Sequence, residues 1–274
     1  LVASLLIMLR EGLEAALIVG IILGYLAKIR QRSLFKHVFG GVGAGILGSI
    51  ITAFIFQFVA GGFEGKAEET FEGTIMLVAV AILTSMVIWM QKQSKAVKGE
   101  IVQKVDSAVS GEKVWGLFGL AFISVFREGV EVVLFLNALF LQQGSGGAIL
   151  GSVLGLALAL GIAYIVFKTT VNLDLRKFFI VTGSLLLLMA AGLLAHGIHE
   201  LQEAGFIPII IEHVWDINHI VNEKGTFGSL LKAVFGYNGN PSLIEVIAYL
   251  AYLTIIGNKF WGALNAGTNK QSQA

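Results

Sequence analysis

Seven apolar stretches, at residues 2–27, 38–60, 71–91, 114–141, 147–168, 177–200 and 242–260, constrain this chain more than any other feature. Each is about as long as the ~20 residues a helix needs to cross the hydrocarbon core of a bilayer. The composition agrees, at 56% hydrophobic and 14% charged residues with a mean hydropathy of +0.82. A soluble domain carries roughly 25% charged residues, and one this apolar would aggregate. The fold class expected is therefore an all-α integral membrane protein with seven transmembrane helices and the lipid bilayer as its first partner. The net charge of +1 gives no reason to expect nucleic acid. Cys is absent, which excludes disulfides, thiolate metal sites and thiol catalysis, so any metal must be held by oxygen or imidazole.

Lys and Arg gather on the cytoplasmic side of membrane proteins, so they orient the spans. With the N-terminus outside, the inner side holds fourteen of the nineteen basic residues, from Lys28, Arg30, Arg32 and Lys36 through the 92–113 loop to Lys259 and Lys270. The outer side holds Lys66, Lys224 and Lys232, and Arg10 and Arg127 lie within spans. The orientation expected is N-out, C-in. The first span lacks the basic start of a signal peptide and carries Arg10, Glu11 and Glu14, so it reads as a retained helix. Because the chain begins at Leu1 rather than Met, residues upstream of it are expected.

Residues 6–20, LIMLREGLEAALIVG, align without gaps on residues 123–137, ISVFREGVEVVLFLN, at an offset of 117. The following span of each half carries glycines four apart, Gly41 and Gly45 in one, Gly147, Gly151 and Gly155 in the other. Such ridges suit close helix crossing, within the chain or between copies, and so permit a homo-oligomer. The offset contains three spans, an odd number, so spans 1 and 4 run in opposite directions. That predicts two inverted three-helix repeats plus one extra helix, the arrangement of transporters with a site near the midplane. The chain divides into a first repeat (1–91), a basic cytoplasmic loop (92–113), a second repeat (114–200), an extracytoplasmic loop (201–240) and a seventh helix with a tail (241–274).

Arg10, Glu11 and Glu14 sit mid-span, as do Arg127, Glu128 and Glu131. A charge at the bilayer centre costs roughly 2.5–3.5 kcal/mol on insertion scales, so six of them are too expensive to be decoration. Carboxylates three apart share a helical face. Antiparallel helices crossing here bring four carboxylates together, each pair beside an Arg that can neutralise one carboxylate while the site is empty. Gly12 and Gly129 remove side-chain bulk at that crossing. Four Glu and two Arg sum to −2, a charge that a hard, oxygen-preferring cation balances.

The doubled motif, REGLE at 10–14 and REGVE at 127–131, resembles that of the high-affinity iron permease family, within the iron/lead transporter group. The resemblance covers nearly the whole chain. It implies a multi-pass protein of the cell (plasma or inner) membrane that is not an enzyme. Iron is then the transported substrate rather than a cofactor, and Glu11, Glu14, Glu128 and Glu131 bind it in passage. It also implies work beside a separate oxidase or an extracytoplasmic iron-delivery protein. No appended extracellular domain is expected, so any oxidase is expected on another polypeptide.

The outer ends of spans 3 and 6 add candidates. Glu72 lies at the start of span 3 and shares a face with Glu68, while Glu64 and Glu69 read as a solvated acidic loop. His196, His199, Glu200 and Glu203 form a stripe on span 6 able to capture or gate a metal. The stripe is not HExxH, so it is no zinc-protease site. An amphipathic or re-entrant helix over 208–222 is expected to cover the entrance, with Glu245 near the same mouth. The lysines of 92–113 read as a topology anchor on anionic lipid. Thiol-free carboxylates favour Fe(III), with Fe(II), manganese or lead as alternatives. A di-iron enzyme requires Glu-x-x-His pairs that are not in the motifs, and nothing adds a signalling domain for an iron sensor.

Overall fold

The computed structural model describes residues 1–93, 97–110, 114–143, 147–168, 175–223 and 225–269, and among these there is no strand. Nine α-helices occur in these residues: α1 (Val2–Lys28), α2 (Phe35–Ala60), α3 (Lys66–Gln93), α4 (Val97–Ser110), α5 (Val114–Gln143), α6 (Ala148–Lys168), α7 (Leu175–Glu203), α8 (Thr226–Phe235) and α9 (Leu243–Asn269). Five helices, α2, α3, α6, α7 and α9, are long and apolar enough to cross a membrane. The other two long helices, α1 and α5, match them in length but carry three charges each inside the apolar run, the two Arg-Glu-x-x-Glu motifs. Several of the basic residues counted above, among them Lys95, Lys113, Lys224 and Lys270, lie outside the described residues.

The helices pack in pairs: α1 along α6, α2 along α5, α3 along α7, with α1 also crossing α5 and α9 lying on α7. Helix α7 is the most enclosed. Leu186, Met189, Ala190 and Leu193 of α7 join Met76, Ala79 and Leu83 of α3 and Phe135 of α5 in the main core. Helix α2 turns Leu47, Phe54 and Phe58 outward, an apolar face of the kind that meets lipid. Membrane helices gain little from hydrophobic burial against one another, so backbone-close packing has to hold them.

Glycine supplies that closeness at two matching places. A Cβ on Gly41 would run into the Phe118 carbonyl and stand 3.0 Å from Ala121. One on Gly151 would run into the Leu1 carbonyl and Ser4. Phe118 and Ala121 are separated from Leu1 and Ser4 by the same 117 positions that separate the motifs. The ridges expected to permit contacts between copies are thus occupied within the chain, α2 on α5 and α6 on α1. They give no support for an oligomer. Gly41→Ala and Gly155→Ala are expected to destabilise the protein by about 1–3 kcal/mol, the cost of overpacking a close crossing. Gly43 and Gly161 have nothing within 4 Å of a built Cβ. Alanine there is expected to stabilise slightly, by up to about 1 kcal/mol of helix propensity. Thermal unfolding in detergent separates the two pairs by sign.

Two segments differ from expectation. The 92–113 loop contains α4, whose Ile101 and Val105 are buried against Ile22 and Leu26 of α1 and Leu117 of α5. Tyr25 donates a hydrogen bond to Asp106 at 2.9 Å. The stretch 208–222 is not helical, which corrects the helix expected there. The β-branched run Ile209–Ile211 suits extended backbone better than helix, and Asn218 N–H bonds the Asp216 carboxylate in an Asx turn. The backbone pairs instead with 239–243, as in Val214 N–H to Pro241 O at 2.9 Å and Ile217 N–H to Gly239 O at 2.8 Å. The helix of this loop is α8, ended by Gly236 in the left-handed region at φ 66°. Gly236 lies directly against Gly192 of α7, an approach that only two glycines allow. Gly192 is roughly 16 Å along α7 from its Glu203 end, so α8 re-enters the helical bundle.

Candidate functional site

Helices α1 and α5 carry the motifs to one point. One carboxylate oxygen each of Glu11, Glu128 and Glu131 lies within 4.8 Å of the others. Among the described residues no other three His or carboxylate ligands come that close. Glu11 is 1% and Glu128 4% exposed. Arg10 donates from Nη1 to Glu11 Oε1 at 3.3 Å, and Arg127 from Nε to Glu131 Oε1 at 2.9 Å. Arg127 Nε also stands 3.9 Å from Glu128 Oε1. Each of the three glutamates thus offers one oxygen to an arginine, while its Oε2 is buried without a hydrogen-bond partner. Orphaned buried carboxylate oxygens are costly, and a cation among them removes the cost.

Glu14 stands apart from the trio. Its Oε1 is ion-paired with Arg10 Nε at 3.2 Å. The two arginines also differ. Arg10 is fully buried and donates from Nη2 to the Met90 sulfur at 2.9 Å. The Arg127 side chain is half exposed and lies 5.8 Å from the Trp89 ring centroid. Gly12 and Gly129 do not face each other across α1 and α5. A Cβ on Gly12 would meet Ala159 of α6 at 3.0 Å, and one on Gly129 would run into Ser49 of α2. The glycines therefore set the depth at which α6 and α2 press on the motif helices. A cavity of about 570 Å³ opens between these four helices, with Glu11 and Glu128 in a wall otherwise made of residues such as Ala15, Ile46, Val125 and Leu160.

At the end of the bundle that carries Leu1 and Glu203, the α7 stripe forms two histidine–carboxylate pairs. His196 Nε2 lies 3.5 Å from Glu200 Oε1, and His199 Nε2 lies 3.4 Å from Glu203 Oε1. The two rings stack with centroids 5.9 Å apart. Glu72 of α3 lies within electrostatic reach of Glu200. The pairs stand side by side rather than converging on one point. Sequence reasoning left Glu245 at the margin, yet it is 2% exposed and bonded to His199. Its place in the first turn of α9, three residues after Ser242, was the available signal.

Three carboxylates closing beside an apolar cavity in a helical membrane protein are the chemistry that suits a cation. The family model described as the iron permease FTR1 family matches residues 1–264. The ferrous iron permease EfeU of Yersinia pestis is 39% identical over 251 residues, covering 90% of this chain and 89% of the relative. That of Yersinia pseudotuberculosis is likewise 39% identical over 251 residues, covering 90% and 88%. That of Shigella sonnei is 38% identical over 253 residues, covering 90% and 91%. No solved structure matches. The chain belongs to the iron permease FTR1 family and is a multi-pass iron-transport protein of the cell membrane.

Proposed function

We propose that this chain imports iron through a central site made by Glu11, Glu128 and Glu131, with Glu14, Arg10 and Arg127 setting its charge. The observation that carries this reading is that three buried glutamates each bring one carboxylate oxygen within 4.8 Å of the others while each holds an Oε2 without a hydrogen-bond partner. Its all-oxygen ligands suit hard or borderline cations. Hardness alone favours Fe(III). Two observations favour Fe(II) as the ion carried. The four glutamates and two arginines sum to −2, which a divalent ion neutralises in a medium where residual charge is expensive. The relatives above are also named ferrous iron permeases.

The transport cycle we infer uses seven spans in N-out, C-in orientation, with α1–α3 and α5–α7 as inverted repeats. The helix pairing supports this, because exchanging the halves maps α1·α6 onto α5·α2 and leaves α3·α7 and α1·α5 unchanged. The matched glycine contacts support it as well. Glu72, His196, His199, Glu200 and Glu203 receive the ion at the outer mouth, and one half rocks against the other to release it inward. An oxidase or delivery protein, where used, presents iron at that mouth.

The test is uptake into liposomes holding the purified protein, with Fe(II) kept reduced and Fe(III) citrate offered separately. Saturable Fe(II) uptake that is lost in Glu131→Ala is the expected result. Uptake of Fe(III) alone overturns the assignment of oxidation state. Undiminished uptake in a folded Glu131→Ala protein removes the central site from the ion's path.

A further inference from the structure

Both carboxylate oxygens of Glu245 are engaged by neighbours. Its Oε1 accepts from His199 Nδ1 at 3.1 Å and from the Ser242 backbone N–H at 3.2 Å, and its Oε2 accepts from Asn238 Nδ2 at 2.7 Å. Ser242 in turn donates from its hydroxyl to Gln202 Oε1 at 2.9 Å, which fastens the start of α9 to α7. A buried carboxylate with three donors is an acceptor only, so the His199 proton sits on Nδ1. The lone pair of the neutral ring is then on Nε2, and Nε2 faces Glu203 Oε1 at 3.4 Å. Two acceptors facing one another call for a cation or a proton between them. Both side chains are open to an arriving ion, at 40% and 52% exposure, while Glu245 behind them is sealed.

We propose that Glu245 is a positioning residue, fixing the tautomer and direction of His199 so that His199 Nε2 and Glu203 form a two-donor landing site for a divalent transition-metal ion. This deepens the reading of the outer mouth given above and rests on it. Carboxylates that hold the far nitrogen of a metal-binding imidazole orient the ring and raise its basicity, and their loss typically lowers metal affinity 10–100-fold. The carboxylate also joins the site to the α8–α9 turn through Asn238, so the same group that aims the histidine anchors the loop covering the mouth.

The experiment uses the full chain in detergent with Glu128→Ala and Glu131→Ala added, which silences the central site. Mn(II) is the probe, read by its binding affinity and by pulsed EPR for 14N coupling from imidazole. Bound Mn(II) with 14N coupling that vanishes in His199→Ala is expected. Glu245→Ala is expected to weaken binding roughly 10–100-fold. Glu245→Gln keeps an acceptor for Nδ1–H but not the charge, so it falls between the two and serves if the alanine variant fails to fold. Affinity and 14N coupling that are unchanged in Glu245→Gln and Glu245→Ala overturn the positioning role. Absence of 14N coupling before any change at 199 or 245 overturns the landing site, and liposome uptake by the otherwise unmodified chain then decides separately whether the central reading stands.

Discussion

Alanine in place of Glu11, Glu128 or Glu131 is expected to lower the affinity of the central site for Fe(II) roughly 100-fold or more, about 2.7 kcal/mol. Glu14→Ala is expected to cost only about tenfold, or 1.4 kcal/mol. The motifs write Glu11 and Glu14 as equivalents of Glu128 and Glu131, so this inequality comes from geometry. The three converging carboxylates each keep an unpartnered oxygen for the ion. Glu14 instead faces Arg10 and acts on the ion through it, by occupying a guanidinium that otherwise bears wholly on Glu11. None of the four changes strips an arginine of every partner. Arg10 keeps Glu14 when Glu11 is lost, and Arg127 keeps one of Glu128 and Glu131. The fold is therefore expected to survive, which circular dichroism and size-exclusion profiles can establish. Anaerobic titration calorimetry then ranks the four. Equal losses at all four positions would place the ion among the whole set, and no loss at the trio would leave it without a ligand role.

The motif helices were legible in the sequence because a charge in an apolar run is expensive. Nothing but function or a strong pairing keeps Arg10 and Glu11 in α1, and the repeat of the same letters in α5 pointed to a meeting place. What the letters could not carry was side-chain direction. Gly12 and Gly129 lie in the motifs and read as space for α1 against α5, yet the helix turns them to α6 and α2. The pattern of α4 was also present, with Val97, Ile101 and Val105 at four-residue spacing, but the lysines around it drew the reading toward lipid. In the 201–240 loop, Phe227, Leu230, Leu231 and Val234 followed by Gly236 spell a short amphipathic helix with its cap. The 208–222 stretch has as many apolar residues, but its β-branched run Ile209–Ile211 suits extended backbone. Glu245 was hidden for another reason. Its role depends on His199, forty-six residues away, and only the folded loop brings the two together.

Arg10→Ala is expected to destabilise the protein by about 3–5 kcal/mol, as breaking a buried ion pair does. Arg127→Ala is expected to cost about 1 kcal/mol, the scale of an exposed ion pair with its ring contact. The two arginines hold the same place in the two motifs and make the same i, i+4 contact, to Glu14 at 3.2 Å and to Glu131 at 2.9 Å. Their surroundings differ. The Arg10 side chain is 1% exposed, so its loss leaves Glu11 and Glu14 charged in the interior or forces them to take up protons. The Arg127 side chain is 51% exposed on the surface of the bundle, so far fewer groups of this chain close over the space it leaves. A double-mutant cycle with Glu14→Ala isolates the Arg10 pair, since removing both partners should recover part of what Arg10→Ala loses. Unfolding in graded denaturant in detergent gives all four corners. Equal costs for the two arginines would mean that Arg127 is as enclosed in the membrane as Arg10, and its open side would then have to be covered there by lipid or by a second copy of the chain.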